Sequence, residues 1–329
     1  MNKFDYVIVG GGLAGTSAIE GIRARDEKGS ILLLGEETHP PYDRPPLSKK
    51  LWFGKTRVEE IFLHDQHFYD AFRVEMLLGE KAEKLDPREK TVTTASGKRF
   101  SFGKLLLATG TSPRRIGIPG GDLEGICHFR TLDDYLRVRD DAKAGSSALI
   151  IGGGFIGSEL AAALNLNLEV TMIFPSATLC RRVFPESLGM AVQSHFQARG
   201  IRVIHSDSPA SISRSGGGFR TETVSGKSIE SDLVIVGIGV DPNTGIARDA
   251  GLEVGNGIVV DEYLETSHAD IYAAGDNTFF PYHALGKSMR IEHWDNALAQ
   301  GRWAGSNMAG AHEAFTYQPY FFSDLFEFG

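Results

Sequence analysis

The sequence predicts an α/β fold made of two similar halves, and two observations carry that reading. "YVIVGGGLAGTSAIEGI" at 6–22 is echoed by "ALIIGGGFIGSELAAAL" at 148–164. In each, a run of β-branched and aliphatic residues meets glycines and then a helix-compatible stretch, the order strand, tight turn, helix. Each half also closes in the same way. "KTVTTASGKRF", a hairpin around Ser96-Gly97, precedes the buried strand of "KLLLATGTSPRR", and a second hairpin near "SRSGGGFRTETVSGK" precedes "SDLVIVGIGVDPN".

At 329 residues the chain has room for two or three domains of roughly 100–150 residues each. An apolar content of 42%, a charged content of 23% and a net charge of −8 describe an ordinary globular chain without the basic excess that nucleic acid demands. The start, "MNKFDYVIVGGGLAG", enters a strand-like run at once, so no signal peptide is expected, and no apolar stretch approaches the ~18 residues of a membrane span. Cytoplasm is the expected compartment. Cys127 and Cys180 stand far apart in no CxxC arrangement, which argues against structural zinc, any other metal site and a disulfide framework; two buried, inert thiols are expected.

Taken in order, the first unit holds Gly10-x-Gly12-x-x-Gly15. In that spacing the first glycine makes the turn, the second lets backbone approach a pyrophosphate, and the third lets helix and strand pack closely. Leu13 and Ala14 then lie in the first helical turn, where free amides and the helix dipole favour an anion. "SILLLGEE" ends at Glu36, about twenty residues on, the distance at which a carboxylate accepts the hydroxyls of an adenosine ribose. Next, "HPPYDRPPLSKK" packs four of the thirteen prolines into 39–50, each fixing its own φ and limiting its predecessor, so that Arg44 and Lys49 are held on a stiff backbone. The second unit repeats the pattern as Gly152-x-Gly154-x-x-Gly157, with Gly153, Phe155 and Ile156 inside it. These are two Rossmann-like dinucleotide sites, and two nucleotides in one chain suggest electron traffic. The second departs at its strand end: Ser176 stands where a ribose-binding acid is expected, with Arg181 and Arg182 close behind. Either these arginines pair with a 2′-phosphate, leaving only modest selectivity for NADH over NADPH, or they are merely solvated. Beyond 241 come "GIVVDEYLETSHADIYAAGDN", the helical "EHWDNALAQGRWAGSNMAG" and an aromatic-rich tail.

Five motifs in this order, "PPYDRPPLSKKLW", "LLLATGTSPR", "IIGGGFIGSEL", "VGIGVDPN" and "IYAAGDN", resemble those of the FAD-dependent ferredoxin reductases of oxygenase systems and of apoptosis-inducing factor, over nearly all of 4–329. The resemblance implies an FAD domain from 1–112 and 241–311, an NAD(P)H domain at 113–240 inserted into it, and at 312–329 the start of a C-terminal domain that is otherwise missing. It implies FAD contacts at Gly10, Gly12–Gly15, Glu36, Arg44 on the pyrophosphate, Lys49 near the isoalloxazine, Ala82 at the adenine, Ala108, Thr109, Gly110, Arg114 and Gly275. The resemblance further implies that Asp276 holds the ribityl hydroxyls, a helix N-cap being the alternative, and that Glu292, His293 and Trp294 open a helix facing the flavin pyrimidine, although His293 taken alone reads as structural. Phe322 falls where apoptosis-inducing factor has a tryptophan beside the flavin. The resemblance also implies that NADH or NADPH lies across Gly153–Ile156 with Gly239 behind it and that Phe155 is the gate that moves aside, a core phenylalanine being the alternative reading. It implies that Glu159 pairs with Lys49 across the domain boundary, where two solvated charges are the alternative. Lys49, Glu159, Phe155 and His293 are the catalytic candidates. The implied activity is hydride transfer from NAD(P)H to flavin N5 and release of single electrons to a small iron–sulfur protein, ferredoxin or rubredoxin, with a homodimer as an expected state. The alternative is a redox-sensing interaction protein of the apoptosis-inducing-factor kind with slow turnover. A disulfide reductase needs a thiol beside the flavin, and "RPPLSKK" offers Ser48 and Lys49 instead.

Overall fold

The structure, a computed structural model, describes residues 2–326. Residue 1 and residues 327–329 of the expected domain ranges therefore lie outside the described part. The chain divides into two compact units: Met1–Asp43 with Glu59–Thr111 and Pro242–Phe321, and Arg44–Val58 with Ser112–Asp241 and Phe322–Gly329.

In the first unit the buried stretches 6–9, 31–34 and 105–107 read as unbroken apolar runs because they are covered on both faces, as parallel sheets are. From one edge the order is Val74–Leu77, Ile31–Leu34, Asn2–Val9, Arg99–Leu107 and Ile271–Ala273, all parallel. The order reverses between Asn2–Val9 and Arg99–Leu107, which opens a crevice at their carboxyl ends. The first hairpin forms as expected: Thr91–Thr94 pairs antiparallel with the start of Arg99–Leu107. Helix Leu13–Arg23 lies against helix Trp294–Met308 at backbone distance. A Cβ on Gly21, Gly301 or Gly305 would stand 2.1, 2.3 or 2.1 Å from the backbone oxygens of Arg302, Ala14 and Ala18. A larger side chain at any of the three would force these helices apart.

The second unit has a five-stranded parallel sheet in the order Arg202–Ile204, Glu169–Ile173, Ser147–Ile151, Leu233–Val236, Cys127–His128. Beside it Pro209–Ser215, Gly218–Thr223 and Ser228–Ser231 form an antiparallel sheet. The second expected hairpin is here, turned by Gly216 and Gly217 at φ +57° and +91°, the pair of left-handed residues that a tight two-residue hairpin requires. The segment 44–58 groups with this unit, and its apolar residues account for that. Leu47, Leu51 and Trp52 are buried, and the Trp52 indole meets the edge of Tyr135, 5.1 Å between ring centres, under the Arg139 guanidinium. Tyr135 and Arg139 come from helix Leu132–Asp141, whose capping box is Thr131 with Asp134. Among the described residues no helix is long and apolar enough to cross a membrane.

Candidate active site

The first unit's glycine turn is dictated by backbone crowding. Gly10 has φ +124°, and a Cβ there would lie 2.0 Å from the Ala108 carbonyl oxygen; one on Gly15 would lie 2.0 Å from the Gly10 oxygen. Gly12, by contrast, faces open space. It caps helix Leu13–Arg23 with no side-chain hydrogen bond and no acid in the first turn. The first-turn amides of Leu13, Ala14 and Gly15 thus have no partner within the helix, the condition for holding an anion. Glu36 follows strand Ile31–Leu34, exposed, with its carboxylate 2.9 Å from the Lys81 ammonium; Ala82 starts the strand Ala82–Asp86.

On the other side of the crevice, Ala108, Thr109 and Gly110 leave Arg99–Leu107, and the Thr109 hydroxyl donates to the Asn243 carbonyl at 2.6 Å. Asn277, fully buried, donates to the Leu107 carbonyl and to Thr109 Oγ1, both at 3.0 Å. Gly275 donates its N–H to Gln300 Oε1 at 2.9 Å, which leaves the half-buried Asp276 at the strand exit. Arg290 donates to the Asp276 carbonyl at 3.1 Å and pairs with Glu292, while its Nε is buried without a partner. His293 caps the 15-residue helix Trp294–Met308, and its Nδ1 is likewise buried and unpartnered. Burial holds the imidazole below its ordinary value, against the opposing pull of Asp276, Glu292 and Asp295. Trp294 Nε1 donates to Asp43 at 2.7 Å. Orphan amides at one end and unpartnered Arg290 and His293 nitrogens at the other fit an extended dinucleotide carrying a polar ring system.

The second unit repeats the turn. Gly152 has φ +130° with an added Cβ 2.2 Å from the Gly237 oxygen, and one on Gly157 would lie 2.3 Å from the Gly152 oxygen. Gly154, open to space, caps helix Phe155–Leu164 with no side-chain bond and no acid in its first turn. Gly153 accepts the Cys180 N–H at 2.7 Å. Phe155 is half-buried and meets Phe184 edge-on, 5.6 Å between ring centres, and Ile156 stands exposed beside it. At the strand end the Ser176 hydroxyl donates to the Thr178 carbonyl at 2.9 Å; Arg182 is exposed, and Arg181 reaches Glu186 at 3.9 Å. Gly239 accepts the Arg114 N–H at 3.0 Å, and the Arg114 guanidinium pairs with Asp241 at 2.9 Å. Arg44 donates to the Arg130 carbonyl at 3.0 Å.

The same unit contains a buried ion pair. Lys49 Nζ lies 3.1 Å from Glu159 Oε1, the residues 7% and 5% exposed. Lys49 and Glu159 both lie in this compact unit. Phe322 presents its ring 4.7 Å from the Lys49 ammonium. Ser323 escaped the sequence, and so did the contact that Ser48 makes: Ser48 Oγ donates to Glu159 Oε2 and Ser323 Oγ to Glu159 Oε1, each at 2.6 Å. Burial pushes both thiols, Cys127 and Cys180, up to about 11, far from a reactive thiolate. Among the described residues no cluster could hold a metal.

Two glycine cradles at the carboxyl ends of parallel strands, a buried cation–carboxylate pair and thiols held well above their ordinary ionisation range define an oxidoreductase of the two-nucleotide class. The chain belongs to the pyridine nucleotide-disulphide oxidoreductase family, FAD-containing enzymes dependent on NAD(P)H, whose model matches residues 4–301. It is 37% identical over 330 residues to the ferredoxin–NAD(+) reductase component of the anthranilate 1,2-dioxygenase system of Burkholderia cepacia, covering 99% of this chain and 81% of that one. It is 35% identical to a rubredoxin–NAD(+) reductase of Pseudomonas putida, over 97% of this chain and 83% of the relative. Among solved structures, the covalent putidaredoxin reductase–putidaredoxin complex matches with a TM-score of 0.94 at 31% identity, over 99% of this chain and 80% of that one.

Proposed function

We propose that this chain is an NAD(P)H-dependent FAD reductase that passes electrons to a small iron–sulfur protein of the ferredoxin or rubredoxin kind, working in the cytoplasm. The observation that carries the reading is the buried Lys49–Glu159 pair with Ser48 beside it, where a thiol enzyme of the same family would need cysteine. When bound, FAD would supply the hydride-accepting and single-electron-releasing chemistry. The chain's own residues bind and orient. The open amides at Gly12–Gly15 and the Arg44 guanidinium neutralise the FAD pyrophosphate, Glu36 takes the ribose, and the backbone of Ala82, Ala108, Thr109, Gly110 and Gly275 shapes the rest. Asp276 accepts from the ribityl hydroxyls. The N-terminus of Trp294–Met308, with Glu292 and a neutral His293, sets the field at the flavin pyrimidine. Lys49, fixed by Glu159, sets the polarity at the flavin ring. Gly152–Gly157 and Gly239 hold NAD(P)H, and Phe155 rotates off Phe184 to admit the nicotinamide.

The test is anaerobic stopped-flow mixing of FAD-loaded protein with NADH, followed by a ferredoxin or by oxygen. Flavin bleaching with NADH and rapid ferredoxin reduction support the reductase. A long-lived charge-transfer complex that reduces neither acceptor supports the redox-sensing alternative and overturns the proposal.

A further inference from the structure

Glu159 is held by more than its lysine. Its carboxylate is buried and each of its two oxygens accepts a serine hydroxyl at 2.6 Å, Oε2 from Ser48 and Oε1 from Ser323, while the Lys49 ammonium shares Oε1 at 3.1 Å. Two donors on opposite oxygens fix the plane of a carboxylate that an ammonium alone would leave free to turn, because an ammonium is a point charge with no preferred plane. Short hydroxyl–carboxylate bonds are among the stronger neutral–ionic contacts. The two serines come from different parts of the chain. Ser48 ends the stiff Pro45–Ser48 turn, itself buried, and Ser323 lies on the tail just after Phe322, whose ring faces the same ammonium.

We infer that Ser48 and Ser323 form a hydroxyl clamp whose task is to orient Glu159, and through it to hold the Lys49 ammonium at one position. They are positioning residues, and the inference rests on the reductase reading above. Ser48 thus occupies the place of a redox thiol with a group of similar size that donates a hydrogen bond and carries no redox chemistry. The tail contributes the other half of the clamp, so the ordering of 322–325 on this unit is coupled to the state of the pair.

The experiment compares Ser48→Ala, Ser323→Ala, the double variant and the Ser→Thr versions as FAD-loaded proteins. Two readouts are taken: the limiting rate and NADH dissociation constant of flavin reduction, and the rate at which acetic anhydride acetylates Lys49, followed by peptide mass spectrometry. Small misplacements of a reacting group cost up to about a hundredfold in rate, so each single alanine variant is expected to slow limiting reduction about threefold to tenfold and the double variant by more. The NADH dissociation constant stays within about twofold, threonine restores the rate, and Lys49 acetylation rises at least about fivefold as its amine loses its fixed, buried position and becomes accessible to the reagent. A double variant with the parent's limiting rate and acetylation overturns the inference, as does a threonine variant as slow as alanine. Should Ser48→Ala fail to retain FAD, Ser323→Ala on the tail decides alone by the same criteria. If the parent protein is not reduced by NADH at all, the reductase reading fails, and Lys49 acetylation still tests the clamp.

Discussion

Replacing Glu159 with alanine leaves the Lys49 ammonium, 7% exposed, without its counter-charge, and removes the acceptor from two serine hydroxyls. Breaking a buried pair from one side costs about 3–5 kcal/mol, since the remaining charge stays buried without compensation. For a folding unit of roughly 150 residues each kcal/mol moves Tm by about 2–4 °C, so the unit's unfolding should fall by about 6–20 °C. Differential scanning calorimetry and urea titration of the FAD-loaded protein give the numbers. A cycle with Lys49→Met separates pair from site: once the ammonium is gone, Glu159→Ala should cost less by about 0.5–3 kcal/mol. A Tm within 2 °C of the parent (about 1 kcal/mol or less) would refute the reasoning. So would a double variant that loses the full sum of the singles, because the two groups would then contribute independently.

Four further outcomes follow from the same geometry. Lys49→Ala should slow flavin reduction by NADH at least about tenfold while FAD stays bound, and an unchanged stopped-flow rate removes Lys49 from the mechanism. His293 is held below its ordinary value of 6.5 by burial, so below pH 6.5 the unfolded chain takes up its proton first; stability is intact above 6.5 and falls as pH drops toward the folded value. His293→Gln should therefore flatten the urea-derived stability profile below pH 6.5, leaving the slope due to the similarly depressed His128; an unchanged profile contradicts the assignment. With both thiols at about 11, iodoacetamide at pH 8 should label neither Cys127 nor Cys180 until the protein unfolds, and fast labelling of the native state would revive thiol chemistry. The Ser176 hydroxyl is engaged with Thr178, and exposed Arg182 has room for a phosphate; one charge-assisted hydrogen bond is worth about 1.5–3 kcal/mol, so the preference for NADH in kcat/KM should stay below about a hundredfold.

The two cradles were legible because their cause is local. Gly10 and Gly152 adopt positive φ against a neighbouring strand's carbonyl, and no other residue tolerates both conditions, so each cradle leaves a spaced glycine signature. The buried ends of the central strands, 6–9 and 105–107, were legible for a similar reason, since a stretch covered on both faces must be apolar throughout. Glycines 21, 301 and 305 were present but mute. Their meaning is a helix pair in backbone contact, and neither helix's own sequence names its partner. The pair of Asp43 with Trp294 joins positions 251 residues apart and leaves no trace in either neighbourhood.

By itself, the sequence determined the two nucleotide turns, the parallel strands that carry them and the absence of a thiol at residues 48 and 49. Tertiary structure alone decided that 44–58 packs with the second unit, that Lys49 and Glu159 therefore share one unit, and that Ser48 and Ser323 complete the carboxylate's shell from 111 and 164 residues away. The physical reason is range. Backbone conformation and two-sided burial are written into a residue and its neighbours, whereas a hydrogen bond between distant segments depends on where the fold carries each of them.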